Sequence, residues 1–449
     1  MQIYDTLTSS LKEFKGINGK RINMFVCGPT VNDRPHLGHA KTFIFFDVLA
    51  KYLRHKGYHV FFLMNITDVE DKIITKMREE NLQWEEIVTR YSGEFFLNLK
   101  RLRIDSINYF AFATDFIPEI IGQIKRLIEN GLAYETDDGV YFKVRKFKGY
   151  GKLSHQSVDA LVSGARVDIN ERKEDPLDFV LWKKKKEGEP FWLSPWGEGR
   201  PGWHIEDTAI TETFFGPHYD LHGGASDLVF PHHESEIAQM EGISGKEPLV
   251  NYWVHTGHLN VEDVKMSKSL KNFITIEEVL KHYWPEAVRI FVLSIQYRGT
   301  SNYSEKSIKD SQIIAEKISL LHHRVLGMEQ IENENSIMET AKILEPLDHD
   351  MNTQEAMVRL IDFLKRMLGE KSLQGSKGGE IKFVLDQIDQ VFGIVRSTHI
   401  PNEALNLIIK ERNAARKRGD YATADSIRNE LNELGVKIED SSDISFLWW

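Results

Sequence analysis

Hydrophobic positions change their period along this chain, and the changes divide it. Ile22-Asn23-Met24-Phe25-Val26 is a short apolar-rich run ending at Cys27-Gly28-Pro29, which predicts a strand and a turn. From Ala40 to His55 apolar residues recur at helical spacing (Phe43, Phe46, Leu49, Ala50, Leu53), and Gly57 supplies a stop. Tyr58-His59-Val60-Phe61-Phe62-Leu63 predicts a second strand. A strand feeding a crossover helix and another strand argues for a parallel sheet with ligands at the carboxyl ends of its strands.

The middle of the chain reads differently. Pro118 to Gly131 predicts a helix and Val140-Tyr141-Phe142-Lys143-Val144 a strand. A stretch rich in glycine and charge follows, with Trp182, Trp192 and Trp196 after it. We read residues 115–198 as an insertion in a split α/β domain formed by 1–114 and 199–273. A connecting region (274–304) follows. After Ser304 the pattern is helical almost throughout to about Val395, which predicts a helical bundle over 305–398. Pro401 marks a boundary before a small mixed domain, 399–449. There we expect a helix (Glu403 to Arg418), a turn at Gly419-Asp420, a helix (Ala422 to Leu434) and a short strand, Val436-Lys437-Ile438.

Composition narrows the class. A chain of 449 residues with 41% hydrophobic and 28% charged residues suits several globular domains. No apolar run approaches the roughly 20 residues of a membrane span. Met1-Gln2-Ile3-Tyr4-Asp5 has neither the basic start nor the apolar stretch of a secretory signal. Cys27 is the single cysteine, so no intramolecular disulfide can form, and a cytoplasmic location is expected. The net charge is −10, so a nucleic-acid partner would require positive charge to be concentrated locally. Two runs do so: Lys183-Lys184-Lys185-Lys186, and Arg412 with Arg416-Lys417-Arg418. Each reads equally well as a solvated face.

Two short segments carry the chemistry. Pro35-His36-Leu37-Gly38-His39 falls at the start of the first crossover helix, where backbone N–H groups and the helix dipole favour an anion. Lys265-Met266-Ser267-Lys268-Ser269 is a basic, serine-containing loop half a chain away. Together they suit an ATP site. His36 and His39 can donate to phosphate oxygens, Gly38 lets the adenine approach the backbone, and Lys265, Ser267 and Lys268 can close over the triphosphate with Mg²⁺. Lys268 is the expected main cation on the pyrophosphate side.

The first segment has the shape of the histidine signature of class I aminoacyl-tRNA synthetases, and the second matches their lysine-serine signature. Longer motifs are similar to the cysteinyl-tRNA synthetase family: Cys27-Gly28-Pro29-Thr30-Val31, Asn65-Ile66-Thr67-Asp68, Gly199-Arg200-Pro201-Gly202-Trp203-His204-Ile205-Glu206, Asp220-Leu221-His222-Gly223-Gly224 and Asp227-Leu228-Val229-Phe230-Pro231-His232-His233-Glu234-Ser235-Glu236. The resemblance spans essentially the whole chain. It implies a Rossmann-like catalytic domain with a connective insertion, a stem-contact region, a helical bundle and an anticodon-binding domain. It implies L-cysteine, ATP and tRNA(Cys) as substrates and a monomer without a membrane partner. It also implies a zinc ion that takes the substrate thiolate, with ligands at Cys27, Asp207, His232 and Glu236. Asp207 departs from the pattern, because the family carries a second cysteine there. A carboxylate keeps the ligand charge but replaces a soft sulfur with a hard oxygen, and zinc accepts both. By the same resemblance Cys27, Gly28, Thr67, Trp203 and His222 line the cysteine pocket and Asp227 meets the ribose. Arg412, Arg416, Lys417, Arg418 and Trp448 face tRNA. Two other readings remain open at this point: a ligase joining activated cysteine to a small amine, and a catalytically silent RNA-binding relative.

Overall fold

A computed structural model of the chain describes residues 1–157, 172–265, 273–370, 373, 375–396, 403–433, 437–440 and 445–448. The chain divides into two compact units. One comprises Met1–His282, Ile295–Ser304 and Leu347–Thr353; the other comprises Tyr283–Ser294, Glu305–Pro346 and Gln354–Trp449.

The first unit is built on five parallel strands: β1 (Arg21–Val26), β2 (His59–Ile66), β3 (Tyr109–Phe112), β4 (Tyr219–Ala225) and β5 (Val250–Thr256). They lie in the order β3-β2-β1-β4-β5, with Met24 opposite Phe62 on one side and Leu221 on the other. This is a Rossmann-like sheet. The order reverses between β1 and β4, and ligands of such sheets bind in the crevice there, beyond the strands' carboxyl ends. The crossover from β1 to β2 is α1 (Leu37–His55).

The periodicity of α1 predicts one buried stripe. Instead Ile44, Phe45 and Val48 are buried along with Phe43, Phe46, Leu49, Ala50 and Leu53. The helix is enclosed on all sides, so its apolar residues go all the way round. It also starts three residues earlier than the periodicity alone suggests, because His36 caps it. Gly223 on β4 allows the close approach of α1: a Cβ there would stand 2.3 Å from the Phe46 ring.

The insertion has its own sheet of four antiparallel strands, Ala133–Glu135, Gly139–Phe142, Phe179–Lys184 and Gly199–Pro201. The sequence reading returns to the main fold at 199, whereas Gly199–Pro201 pairs with the insertion. The helix Ile117–Glu129 covers this sheet with Ile120 and Ile124, and Trp182 and Trp196 complete the core. Two helices frame the site: α2 (Trp203–Phe215) and α3 (Glu234–Ser244).

The second unit is mainly helical. Its longer helices run Glu305–Val325, Glu334–Leu344, Thr353–Leu368 and Ser376–Phe392. A pair, Glu403–Lys417 and Tyr421–Glu433, follows with Gly419 at φ +76° between them. The expected C-terminal strand is Lys437–Asp440, and it pairs antiparallel with Ser445–Trp448. Among the described residues no helix is long and apolar enough to cross a membrane.

Candidate active site

A cavity of about 620 Å³ opens at the strand reversal. Cys27 and Gly28 line it from the end of β1, His36, Gly38 and His39 from the start of α1, Trp203 from α2 and Asp227 from the turn after β4.

At the mouth of α1 the two imidazoles complete each other's caps. His36 Nδ1 accepts from the N–H groups of Gly38 (3.0 Å) and His39 (3.4 Å), and His39 Nδ1 accepts from the N–H of His36 (3.4 Å). The rings stack with centroids 3.8 Å apart. Backbone N–H groups that the sequence suggested were open to an anion are therefore held by His36. An Nδ1 that accepts places the proton on Nε2, so each ring offers one Nε2–H donor. Burial keeps both neutral. It lowers the His36 pKa from 6.5 to about 4, against the opposing pull of Asp227, and lowers that of His39 well below its ordinary value.

This predicts a pH effect with a definite sign. Between pH 6.5 and about 4 the unfolded chain binds a proton that folded His36 refuses. The unfolded state then holds more protons, so stability falls as pH falls through that window. The melting temperature should drop on acidification from 6.5 to 4. His36→Asn, which keeps a cap acceptor without titrating, should show a shallower drop.

The floor of the cavity is a buried cluster. Cys27 Sγ lies 3.1 Å from Asp207 Oδ2, which lies 3.0 Å from His232 Nε2. His232 Nε2 lies 3.1 Å from Glu236 Oε1, the two residues sharing one face at the start of α3. One ligand atom from each of these four residues falls within 4.8 Å of the others. A second set, Cys27, His222, His233 and Glu236, meets the same criterion. His222 Nε2 is 3.7 Å and His233 Nε2 3.1 Å from the sulfur.

The electrostatics of this cluster are unfavourable without a cation. Burial, then the charges of Asp207 and Glu236, push the Cys27 thiol well up. Burial and neighbouring carboxylates do the same to Glu206 and Glu236. Burial pushes His204, His222 and His233 well down. Among the described residues no lysine or arginine hydrogen-bonds or ion-pairs with the cluster. Glu236 Oε1, although near His232, makes no hydrogen bond. A sulfur, an imidazole and two carboxylates around an unsatisfied buried oxygen suit a divalent cation such as zinc.

Asn65 braces this arrangement. Its Nδ2 donates to Asp207 Oδ1 (2.6 Å) and its Oδ1 accepts from the Gly28 N–H (2.6 Å). A Cβ on Gly28 would fall 1.8 Å from the Asn65 carbonyl oxygen. Gly28→Ala should therefore destabilise the fold by about 2–4 kcal/mol, read by urea denaturation, because backbone rather than a movable side chain stands in the way.

The remaining predicted residues are distributed unevenly. Thr67 and His222 are buried beside the cluster instead of lining the cavity: Thr67 Oγ1 donates to Glu206, and Tyr219 OH lies 2.7 Å from His222 Nδ1. Trp203 stacks on His232 with centroids 4.3 Å apart. Lys265 ends the strand Val264–Lys265, while Ser267 and Lys268 lie outside the described residues. The chain after that loop returns to the helix mouth: Leu37 N donates to Ile274 O (3.1 Å), and Phe273 packs edge-on to His36 at 5.0 Å. Leu259, on the strand that pairs with Val264–Lys265, and Phe273 line the cavity.

Several residues of the site escaped sequence reading. His204 Nδ1 lies 2.8 Å from His232 Nδ1, and His233 Nδ1 lies 2.8 Å from His255 Nε2. Only the adjacency of Trp203-His204 and His232-His233 hinted at them.

The RNA-facing expectations also change. Arg412 is 1% exposed, so its guanidinium is not presented to phosphates, whereas Arg416, Lys417 and Arg418 are exposed. Trp448 lies in the strand Ser445–Trp448. The lysine run at 183–186 is laced with acids: Lys183 pairs with Asp71, Lys184 with Glu135 and Lys185 with Glu198.

Residues 13–313 match the family described as tRNA synthetases class I (C) catalytic domain, and residues 402–445 match the cysteinyl-tRNA ligase anticodon binding domain. The chain is 46% identical to the cysteine–tRNA ligase of Thermoplasma volcanium and 47% identical to that of Thermoplasma acidophilum, in each case over 100% of both chains. The cysteine–tRNA ligase of Thermococcus gammatolerans is 42% identical, over 98% of this chain and 97% of that one. Among solved structures, Mycobacterium tuberculosis methionyl-tRNA synthetase in complex with methionyl-adenylate shares the fold. Its TM-score is 0.60 at 16% identity, covering 83% of this chain and 92% of that one.

Proposed function

The chain belongs to the cysteinyl-tRNA synthetase family of class I enzymes, and on that premise we propose that it activates L-cysteine with ATP and transfers it to the terminal adenosine of tRNA(Cys). The observation that carries the reading is the cavity itself, with a four-ligand cluster at its floor and two neutral imidazoles at its mouth.

Zinc is the proposed occupant of Cys27, Asp207, His232 and Glu236, and when bound it supplies a partner that prefers a thiolate to an alcohol. Packing alone discriminates poorly between two such similar side chains. Trp203 covers this end of the cavity by stacking on His232. Thr67 and His222 support the pocket from beneath, through Glu206 and Tyr219.

At the nucleotide end His36 and His39 donate Nε2–H groups to phosphate oxygens. Gly38 allows the adenine against the backbone, and Asp227 accepts from the ribose hydroxyls. Lys265, Ser267 and Lys268 close over the triphosphate, which enters with Mg²⁺. Neutral donors are well matched to this work, since they need no reorganisation as charge moves onto pyrophosphate.

The second substrate is read elsewhere. We assign the stem contact to 274–304, the spanning bundle to 305–398 and the anticodon to 399–449, with Arg416, Lys417 and Arg418 on phosphates and Trp448 at the bases. A monomer in the cytoplasm completes the proposal. The match of residues 402–445 to an anticodon domain favours tRNA over a small amine as acceptor. Charging of tRNA(Cys) transcript with labelled cysteine tests this. Cysteine-dependent pyrophosphate exchange without any tRNA charging would overturn the acceptor assignment.

A further inference from the structure

Activation brings two anions together, the amino-acid carboxylate and the α-phosphate. The described part of the cavity offers little positive charge for them. Its imidazoles at positions 36 and 39 are neutral, and its floor is acidic. Among the described residues only two lysine or arginine side chains line it, Arg34 and Lys72. Arg34 is already committed, to Glu94 (3.4 Å) and Glu277 (3.1 Å). Lys72 ion-pairs with no described residue. Its ammonium lies 5.6 Å from the centre of the Trp203 ring, and its charge also reaches His39. It lines the same cavity as Trp203 at the amino-acid end and His36 and His39 at the phosphate end.

The helix that carries Lys72, Asp71–Glu80, is held from its other sides. Glu70 caps it, its Oε2 accepting the Lys72 N–H at 2.7 Å. Asp71 pairs with Lys183 and Arg200 on the insertion, and Arg200 Nε donates to Glu189 (3.0 Å). Burial alone would raise the Asp71 pKa, but those two cations outweigh it and bring it down to about 2. Ile73 and Ile74 anchor the first turn in the core. The two carboxylates nearest in sequence are thus occupied by other donors. The ammonium of Lys72 is left to the cavity.

We infer that Lys72 is a catalytic residue of cysteine activation, its ammonium bridging the substrate carboxylate and the α-phosphate as they meet. The inference rests on the activity proposed above. In the step, a carboxylate oxygen forms a bond to the α-phosphorus. The bond from that phosphorus to the bridging oxygen breaks, and pyrophosphate leaves with the electron pair. Lys72 acts by charge alone, placed where negative charge gathers as the two groups meet.

The test uses the full chain with Lys72→Met and Lys72→Arg, cysteine-dependent pyrophosphate exchange, and binding of cysteine against cysteamine, which lacks the carboxylate. Lys72 is exposed, so the methionine should be accommodated, and the melting temperature and zinc content should match the parent. Lys72→Met should lower the exchange kcat about a hundredfold or more. It should weaken cysteine and leave cysteamine binding unchanged, and Lys72→Arg should recover most of the loss. An exchange rate within threefold of the parent, or equal weakening of both ligands, overturns the assignment. A parent protein with no cysteine-dependent exchange overturns the proposed function first, and the role of Lys72 with it.

Discussion

Cys27→Ala should leave the protein folded, strip it of bound zinc and lower cysteine-dependent pyrophosphate exchange on the order of a thousandfold. Cys27 is the only sulfur in the ligand set, and the three partners that remain are an imidazole and two carboxylates. Without the soft donor the site loses its preference for zinc over harder cations. The fold should survive, because removing the thiol also removes a group that burial and the neighbouring carboxylates disfavour in its charged form. Selectivity should fall with rate. Residual discrimination of cysteine from serine should come from packing alone, roughly a hundredfold or less. Metal content by elemental analysis, with exchange rates for both amino acids, reads all three effects.

The second large effect concerns the nucleotide. His39→Ala and Lys268→Ala should each reduce the exchange kcat by about 10²–10³-fold. Combined, they should cost clearly less than the product of the two single losses, because both groups act on one triphosphate and the second loss finds less to remove. The geometry behind this is the link between Leu37 N and Ile274 O, together with Phe273 against His36. These contacts hold Phe273 and Ile274 at the helix mouth. A fully multiplicative double variant would mean that the imidazole and the ammonium serve separate ligands.

How much of this was legible in the sequence depends on which force shaped each segment. β1, α1 and β2 were readable because burial imposed an apolar pattern on them. β4 was not. Its residues include Asp220, His222, Gly223 and Gly224, chosen to hold backbone N–H groups, brace the cluster and admit α1, so no apolar run announces a strand. The four ligand positions could be placed from their motifs, and the structure brings those residues together. Their supports could not be placed this way. Asn65, His204 and His255 come from distant segments, and only the parallel topology makes them neighbours. Arg412 shows the opposite failure. A basic residue on a helix suggests a phosphate contact, yet whether its side chain faces inward is decided by packing that one-dimensional spacing does not encode.

The most direct test of the account is elemental analysis of the purified protein beside pyrophosphate exchange with cysteine and with serine. Purified protein should carry close to one zinc per chain, exchange with cysteine and little with serine, and lose both the metal and the preference when Asp207 is replaced by alanine. A metal-free protein that still chooses cysteine over serine would contradict it.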